Sequence, residues 1–482
     1  MDRRWAYLSV LIGALLCGAA VAAGGPQLRA VLLIAIGSAI LIPLTLKAIT
    51  GSLDPLEPLV IASAAFAILY LARPVYDALR GDVSYLSYGV DATYDVALAS
   101  VAIAVIAFQF GYAAPRLPRS AAHAVRRVIG VDHPRNDIVL MGSAMALTAL
   151  GAGAALASAV LAGGADLLVQ DRSAIATGAT NIPIVAVAVS FTVPGLLLLS
   201  CVEGRAKHLA RILSLLPLAV LGITAIPKGD RRLLLPLIVA IGAFFYLRRG
   251  RRPSLWRISV AVAAVFFLII TPLREFRTGQ TTLGDAVVRT IQNPGAAAAD
   301  LLIAQDTSQV SVMALLISQV GDDRAIPWQW GMATLTETLL QPVPRQLWSD
   351  KPEPIRTQFI EYNWGMARGR CVSQCPTLSV VGTFYADFGL LGVALGCLAL
   401  GWFARVWYLL MMSMRTDAIA IAAYSGTLST FFFVWWSNLG AAVVDFGLYA
   451  IPVVIVGVLA RSRRRGPAPE AALAGPYRRM SA

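Results

Sequence analysis

Three groups of basic residues stand beside apolar segments of this chain, in patterns that suit phosphate chemistry. The first holds Lys228, Arg231 and Arg232, the second Arg274 and Arg277, and the third Arg345 and Lys351, continuing to Arg356. A guanidinium offers two parallel N–H donors to phosphate oxygens, and several converging guanidinium groups suit a pyrophosphate. Arg232, Arg277 and Arg345, with Lys351 nearby, are expected to converge on one cavity. Arg231 and Arg274 are further candidates, Arg231 the weaker because neighbours in a turn point in different directions. The competing reading is contact with lipid headgroups, or salt bridges to Asp230, Glu275 and Asp350.

Proton transfer needs a second kind of group. The three histidines, His123, His133 and His208, fall on the opposite side of the topology derived below, so a base on the arginine side has to be a carboxylate or another group. Asp306, Glu337, Asp350, Glu361 and Asp387 share that side. Glu337, Glu361 and Asp387 are the candidate bases, and sequence alone does not rank them. Cys371 and Cys375 are near enough in sequence to meet the Cα separation of a disulfide in a turn, and an oxidising compartment would favour the bond. Cys17, Cys201 and Cys397 lie in apolar runs and read as small apolar residues. No Cys/His zinc spacing occurs, so no metal site is expected.

The elements that must position these residues are membrane helices. Of 482 residues, 57% are hydrophobic and 14% charged, against about 25% charged in a soluble domain. Twelve apolar segments, near 6–24, 28–49, 56–74, 94–114, 137–162, 182–202, 212–227, 233–247, 258–273, 377–403, 417–436 and 443–460, have lengths near that of a helix crossing a bilayer core. With segments alternating from a cytoplasmic start, the strongly basic loops fall on one side, including 116–135, 205–211, 248–257 and the tail 461–465. Both termini are then cytoplasmic. The net charge of +13 follows from this bias and gives no case for nucleic acid. The expected fold is an all-α polytopic membrane protein: helices 1–9 over 1–273, a large extracytoplasmic loop over 274–376 between helices 9 and 10, helices 10–12 over 377–460, and a basic cytoplasmic tail over 461–482. Within the loop, 301–317 and 331–341 mix apolar and polar residues at helical spacing. With Trp328, Trp330, Trp348 and Trp364, they are expected to form short amphipathic helices along the outer membrane face. The span centres are almost free of ionisable residues, which argues against an ion-coupled carrier.

Residues 344–401 carry the most distinctive pattern. Pro344, Arg345, Trp348, Lys351 and Pro352 are followed by Pro376, Thr377, Gly382, Tyr385, Phe388, Gly389 and Gly392. This resembles the bacterial O-antigen polymerases (Wzy-type), with their arginine- and proline-bearing stretch late in a large periplasmic loop. The resemblance implies a GT-C-like fold in the cytoplasmic membrane. It also implies a polyprenyl-pyrophosphate-linked oligosaccharide as both donor and acceptor, no metal and no other cofactor, and partners of the class of a chain-length regulator or flippase. Many members carry an acid where Thr383 stands here, so Asp387 or Glu361 is expected to replace it. The alternatives are an O-antigen ligase-type enzyme, another lipid-linked glycosyltransferase, and a polysaccharide or lipid transporter.

Overall fold

The computed structural model describes residues 25–81, 83–85, 88–114, 119–129, 131, 135–161, 183–225, 231–250, 254–277, 283–303, 307–341, 343, 347–348, 350–365 and 377–461. Among these the protein is all-α apart from a two-stranded hairpin, β1 (Ser84–Tyr85) and β2 (Tyr88–Gly89). In chain order the helices are α1 (Gly25–Ile49), α2 (Pro58–Arg80, with a π turn at Ala67–Leu71), α3 (Asp91–Ala113), α4 (Arg119–Ile129), α5 (Asp137–Leu161), α6 (Pro183–Ser190), α7 (Thr192–Cys201), α8 (Lys207–Ala225), α9 (Arg231–Arg248) and α10 (255–277). Then follow α11 (Leu283–Gln292), α12 (Pro294–Ile303), α13 (Gln309–Gln319), α14 (332–340), α15 (Ile355–Trp364), α16 (Val380–Ser413), α17 (Ala418–Trp436) and α18 (Leu439–Ala460).

Nine of the described helices are long and apolar enough to cross a membrane: α1, α2, α3, α5, α8, α10, α16, α17 and α18. Twelve were expected. The 182–202 segment is divided at Phe191 into α6 and α7, and α9 has a shorter apolar core. The segment at 6–24 lies outside the described residues, as does the tail beyond Arg461.

Contacts sort the helix ends into two sets. At one end Lys47 of α1, Glu57 before α2, Tyr112 of α3 and Arg405 of α16 form a single network. At this end also Arg461 after α18 bonds the Ile129 carbonyl and Asp417, while Arg248 of α9 bonds the Ser200 carbonyl and Glu203. The other end gathers Arg29 with Asp91 and Asp95, Arg73 with Asp77, and α13 and α15 through Thr93 with the Ala314 carbonyl and Tyr88 with the Asn363 carbonyl. The first is called here the basic end and the second the loop end. Each helix from α1 to α3, and from α16 to α18, runs from one set to the other in alternation, as charge patterning implies.

Packing at the centre is set by small residues. α3 and α16 approach backbone to backbone: a Cβ on Gly111 would lie 2.0 Å from the Leu398 carbonyl oxygen and one on Gly401 2.0 Å from that of Phe108. Membrane helices lack a hydrophobic drive to associate, so such backbone-to-backbone approach is a main source of contact energy.

The loop departs from expectation in one respect. Residues 309–317, the part of the 301–317 stretch that forms α13, are buried rather than laid along a surface, and pack against α3, α16 and β1. Its polar residues are accommodated inside, as when the Gln309 side-chain amide donates to Thr377 and that of Gln319 to Asn363. Trp328 and Trp364 pack against the core, whereas Trp330 and Trp348 are exposed.

Candidate functional site

α14 brackets the site. Its sequence, from Met332 to Leu340, is rich in threonine, and the hydroxyls of Thr336 and Thr338 bond back to the carbonyls of Ala333 and Thr334. Such back-bonding competes with the helical ladder, and the second half of α14 is a π turn, Thr336–Leu340. The helix starts at Gly331, whose φ of +90° suits glycine.

Both ends of α14 are held by charges. Asp387 supplies a cap from a distant element: Oδ1 accepts from the Ala333 N–H at 2.9 Å, and Oδ2 from the Thr334 N–H at 3.0 Å and its hydroxyl at 2.6 Å. Just past the far end, Lys351 Nζ donates to the carbonyls of Val343 (3.1 Å) and Gln341 (3.4 Å). A carboxylate at the N-terminus and an ammonium at the C-terminus complement the helix dipole. Two residues singled out from sequence for base and phosphate chemistry are thus engaged in holding this helix.

Asp387 can reach α14 because α16 is broken beside it. Phe388 (φ −144°, ψ 26°) and Gly389 (φ 61°, ψ −142°) are non-helical, and the second conformation is accessible chiefly to glycine. The break turns residues 380–387 back on the rest of α16, so closely that a Cβ on Gly392 would lie 2.1 Å from the Phe384 carbonyl oxygen. Backbone groups freed at the break pair with the incoming loop: the Gln329 N–H donates to the Ala386 carbonyl at 2.9 Å and the Trp330 N–H to that of Asp387 at 3.2 Å.

From the π turn, a segment that belongs to no candidate span, Glu337 reaches the first turns of α16 and α18 and is 2% exposed. Its Oε2 accepts from the Thr383 hydroxyl and the Leu439 N–H, each at 3.1 Å. Its Oε1 is buried and has no hydrogen-bond partner among the described residues. Burial pushes the carboxyl up to about 7, against the downward pull of Thr383, the Gly440 and Leu439 amides and the Arg356 charge. Close seating on α18 requires Gly440, where a Cβ would lie 2.6 Å from the Glu337 carbonyl oxygen. A carboxyl whose burial favours the protonated form, with one oxygen fixed, is a candidate for proton transfer, provided a substrate hydroxyl can reach it.

The remaining candidates are distributed as follows. Glu361 is exposed on α15. Arg231 and Arg232 begin α9, and Arg274 and Arg277 lie in the last turn of α10. Both are loop-end termini, and these four side chains lie outside the description. Arg345, Cys371 and Cys375 fall outside the described residues. Arg356 stands at the margin of the third basic group in the sequence, yet its charge acts on Glu337. Thr383 was noted only as a departure from a pattern, and no sequence signal tied it to Glu337. Among the described residues no group of His, Cys, Asp and Glu could hold a metal ion.

No protein-family model, curated protein or solved structure matches this chain.

Proposed function

We propose that the chain is a glycosyltransferase that joins polyprenyl-pyrophosphate-linked oligosaccharides, working at the outer face of a bacterial cytoplasmic membrane with its loop end outward. The observation that carries this reading is the Glu337 carboxylate: buried, raised towards neutrality and unpaired at Oε1 among the described residues. It also answers the departure at Thr383. Where members of the resembling family carry an acid, this chain has a threonine whose hydroxyl bonds a carboxylate delivered by α14.

In this reading an acceptor sugar hydroxyl has to reach Glu337 Oε1, which is closed from solvent in this structure, and gives it its proton as the hydroxyl oxygen bonds to the donor's anomeric carbon. The bond from that carbon to the pyrophosphate oxygen breaks, and polyprenyl pyrophosphate leaves with the electron pair. Cationic side chains at the loop end, among them Arg356 and the arginines that begin α9 and end α10, offset the charge that grows on the leaving group.

The test is reconstitution in proteoliposomes with purified lipid-linked repeat units. Chain growth is expected, and Glu337→Gln should lower it roughly 10²–10⁴-fold, the usual contribution of a general base, while Glu361→Gln stays near wild type. Transfer only to a different acceptor would redirect the reading to a ligase. Translocation without glycosidic bond formation would overturn it.

A further inference from the structure

Along α14 the usual order of burial is reversed. Its exposed side chains are Met332 (40%), Leu335 (37%) and Leu339 (67%), all of them apolar. They recur at i, i+3 and i+7, one face of a helix. The opposite face buries Thr336 and Glu337. A surface helix in water turns its polar side outward, so this arrangement suits an apolar surrounding.

The polar groups of α14 are met by the protein. The Thr334 hydroxyl donates to Asp387, that of Thr336 to the Ala333 carbonyl and that of Thr338 to the Thr334 carbonyl. The first four N–H groups also have partners: Met332 donates to the Gln329 carbonyl, Ala333 and Thr334 to Asp387, and Leu335 to the Gly331 carbonyl. Past the far end Lys351 meets the carbonyls of Gln341 and Val343. Water would satisfy such groups on an exposed helix, whereas lipid cannot, and helix ends in lipid have to be closed internally.

The surrounding medium is indicated by α16. The Phe388 ring lies 3.6 Å from the Cβ direction of Gly331 and pairs edge-on with the exposed Trp330, 5.9 Å between centroids. These contacts join the start of α14 to a candidate span. Leu391, Leu395, Leu398 and Trp402 then continue along α16 at helical spacing, all exposed. Apolar side chains exposed on a span face acyl chains, and an indole suits the headgroup level. The outward face of α14 extends that stripe at the loop end.

We infer that α14 is an interfacial helix, with its face of Met332, Leu335 and Leu339 immersed in the acyl chains of the leaflet at the loop end. The occupant is the bulk bilayer. The inference rests on the membrane-spanning character of α16 and stands apart from the glycosyltransferase reading. It places Glu337 on the far side of one helix from lipid, about 10 Å, a helix diameter.

The experiment uses the full chain with its five cysteines replaced by alanine, carrying one nitroxide at a time. The vesicles contain phosphatidylcholine and phosphatidylglycerol and no polyprenyl lipid. Labels at Met332→Cys, Leu335→Cys and Leu339→Cys should collide with oxygen in preference to a water-soluble nickel chelate, at roughly 5–10 Å below the headgroups. Leu395→Cys should lie deeper, and Asp323→Cys, in an exposed turn, should favour the chelate. With the native cysteines kept, lipid brominated high on its acyl chains should quench wild type more than Trp330→Phe. Chelate access at Leu335→Cys and Leu339→Cys equal to that at Asp323→Cys would overturn the inference. So would spin–spin broadening that vanishes on dilution with unlabelled protein, which would make this face a contact between copies. Apolar contact that appears only after polyprenyl phosphate is added would also overturn it and mark a substrate groove. Immersion in substrate-free vesicles supports it even if the chain transfers no sugar.

Discussion

At the residue scale, Glu337 makes the proposed site sensitive to pH. Its carboxyl sits above the ordinary carboxylate value of 4.5, at about 7, so the folded chain holds this proton more tightly than the unfolded chain. Its contribution to stability is then fully present below about 4.5 and is lost as pH rises through about 7. The thermal midpoint of wild type should fall across that interval relative to Glu337→Gln, which has no proton to lose at this position. Activity should have the opposite dependence, declining below pH 7 as the base becomes protonated. Parallel midpoint curves for the two proteins would contradict the burial argument. None of this was legible in the sequence, where Glu337, Glu361 and Asp387 are equivalent acids. Their partners distinguish them: Glu337 meets Thr383 and Leu439, Asp387 meets Ala333 and Thr334, and Glu361 faces solvent. Those contacts bridge about 50–100 residues, beyond any local periodicity.

At the element scale, α14 is a short helix whose stability is supplied from outside. Isolated helices shorter than about 12–15 residues are marginal in water, and α14 spans 332–340. Asp387→Asn keeps the side-chain shape but removes the charge and replaces one acceptor with a donor. Hydrogen bonds to charged groups contribute on the order of 1.5–3 kcal/mol, so the variant should unfold earlier. Turnover should also fall, with its apparent pKa moving from that of wild type as Glu337 shifts. Lys351→Met should act in the same direction through the other end of α14. A variant that lost stability but kept the wild-type pH profile would show that Asp387 supports the fold without positioning Glu337. Nine of the twelve expected segments were readable as candidate spans, because a bilayer imposes length and apolarity on each separately. α13 was not: Gln309, Ser318 and Gln319 give it an amphipathic appearance, although their hydrogen bonds are made inside the protein or to its own backbone.

At the scale of the whole molecule, closely packed glycines and closed ion networks hold the helices together. Gly401→Ala would force α3 and α16 apart at a 2.0 Å approach, and loss of the monodisperse peak on size exclusion is expected. Gly142→Ala is the matched control, because a Cβ there meets nothing within 4 Å. At the basic end, Glu57 is buried against Lys47 at 2.5 Å, Tyr112 at 2.8 Å and Arg405 at 3.3 Å. Glu57→Gln leaves two cations without their shared anion, and removing one partner of a buried pair costs about 3–5 kcal/mol. A clear fall in thermal midpoint should follow, with recovery in Glu57→Gln combined with Lys47→Met.

The glycine approach between α3 and α16 also has a consequence for synthesis. Gly111 meets Leu398, and Gly401 meets Phe108. Nearly 290 residues separate the contacting positions, so α3 enters the bilayer long before its main partner exists. At ~5–20 residues per second the wait is roughly 15–60 s. Throughout that interval the nascent chain presents an open small-residue groove, which any passing helix with a compatible face could occupy. A ribosome that stalls before residue 398 would release a fragment whose central seam never closes, and that fragment should be cleared by membrane proteases faster than the full-length chain.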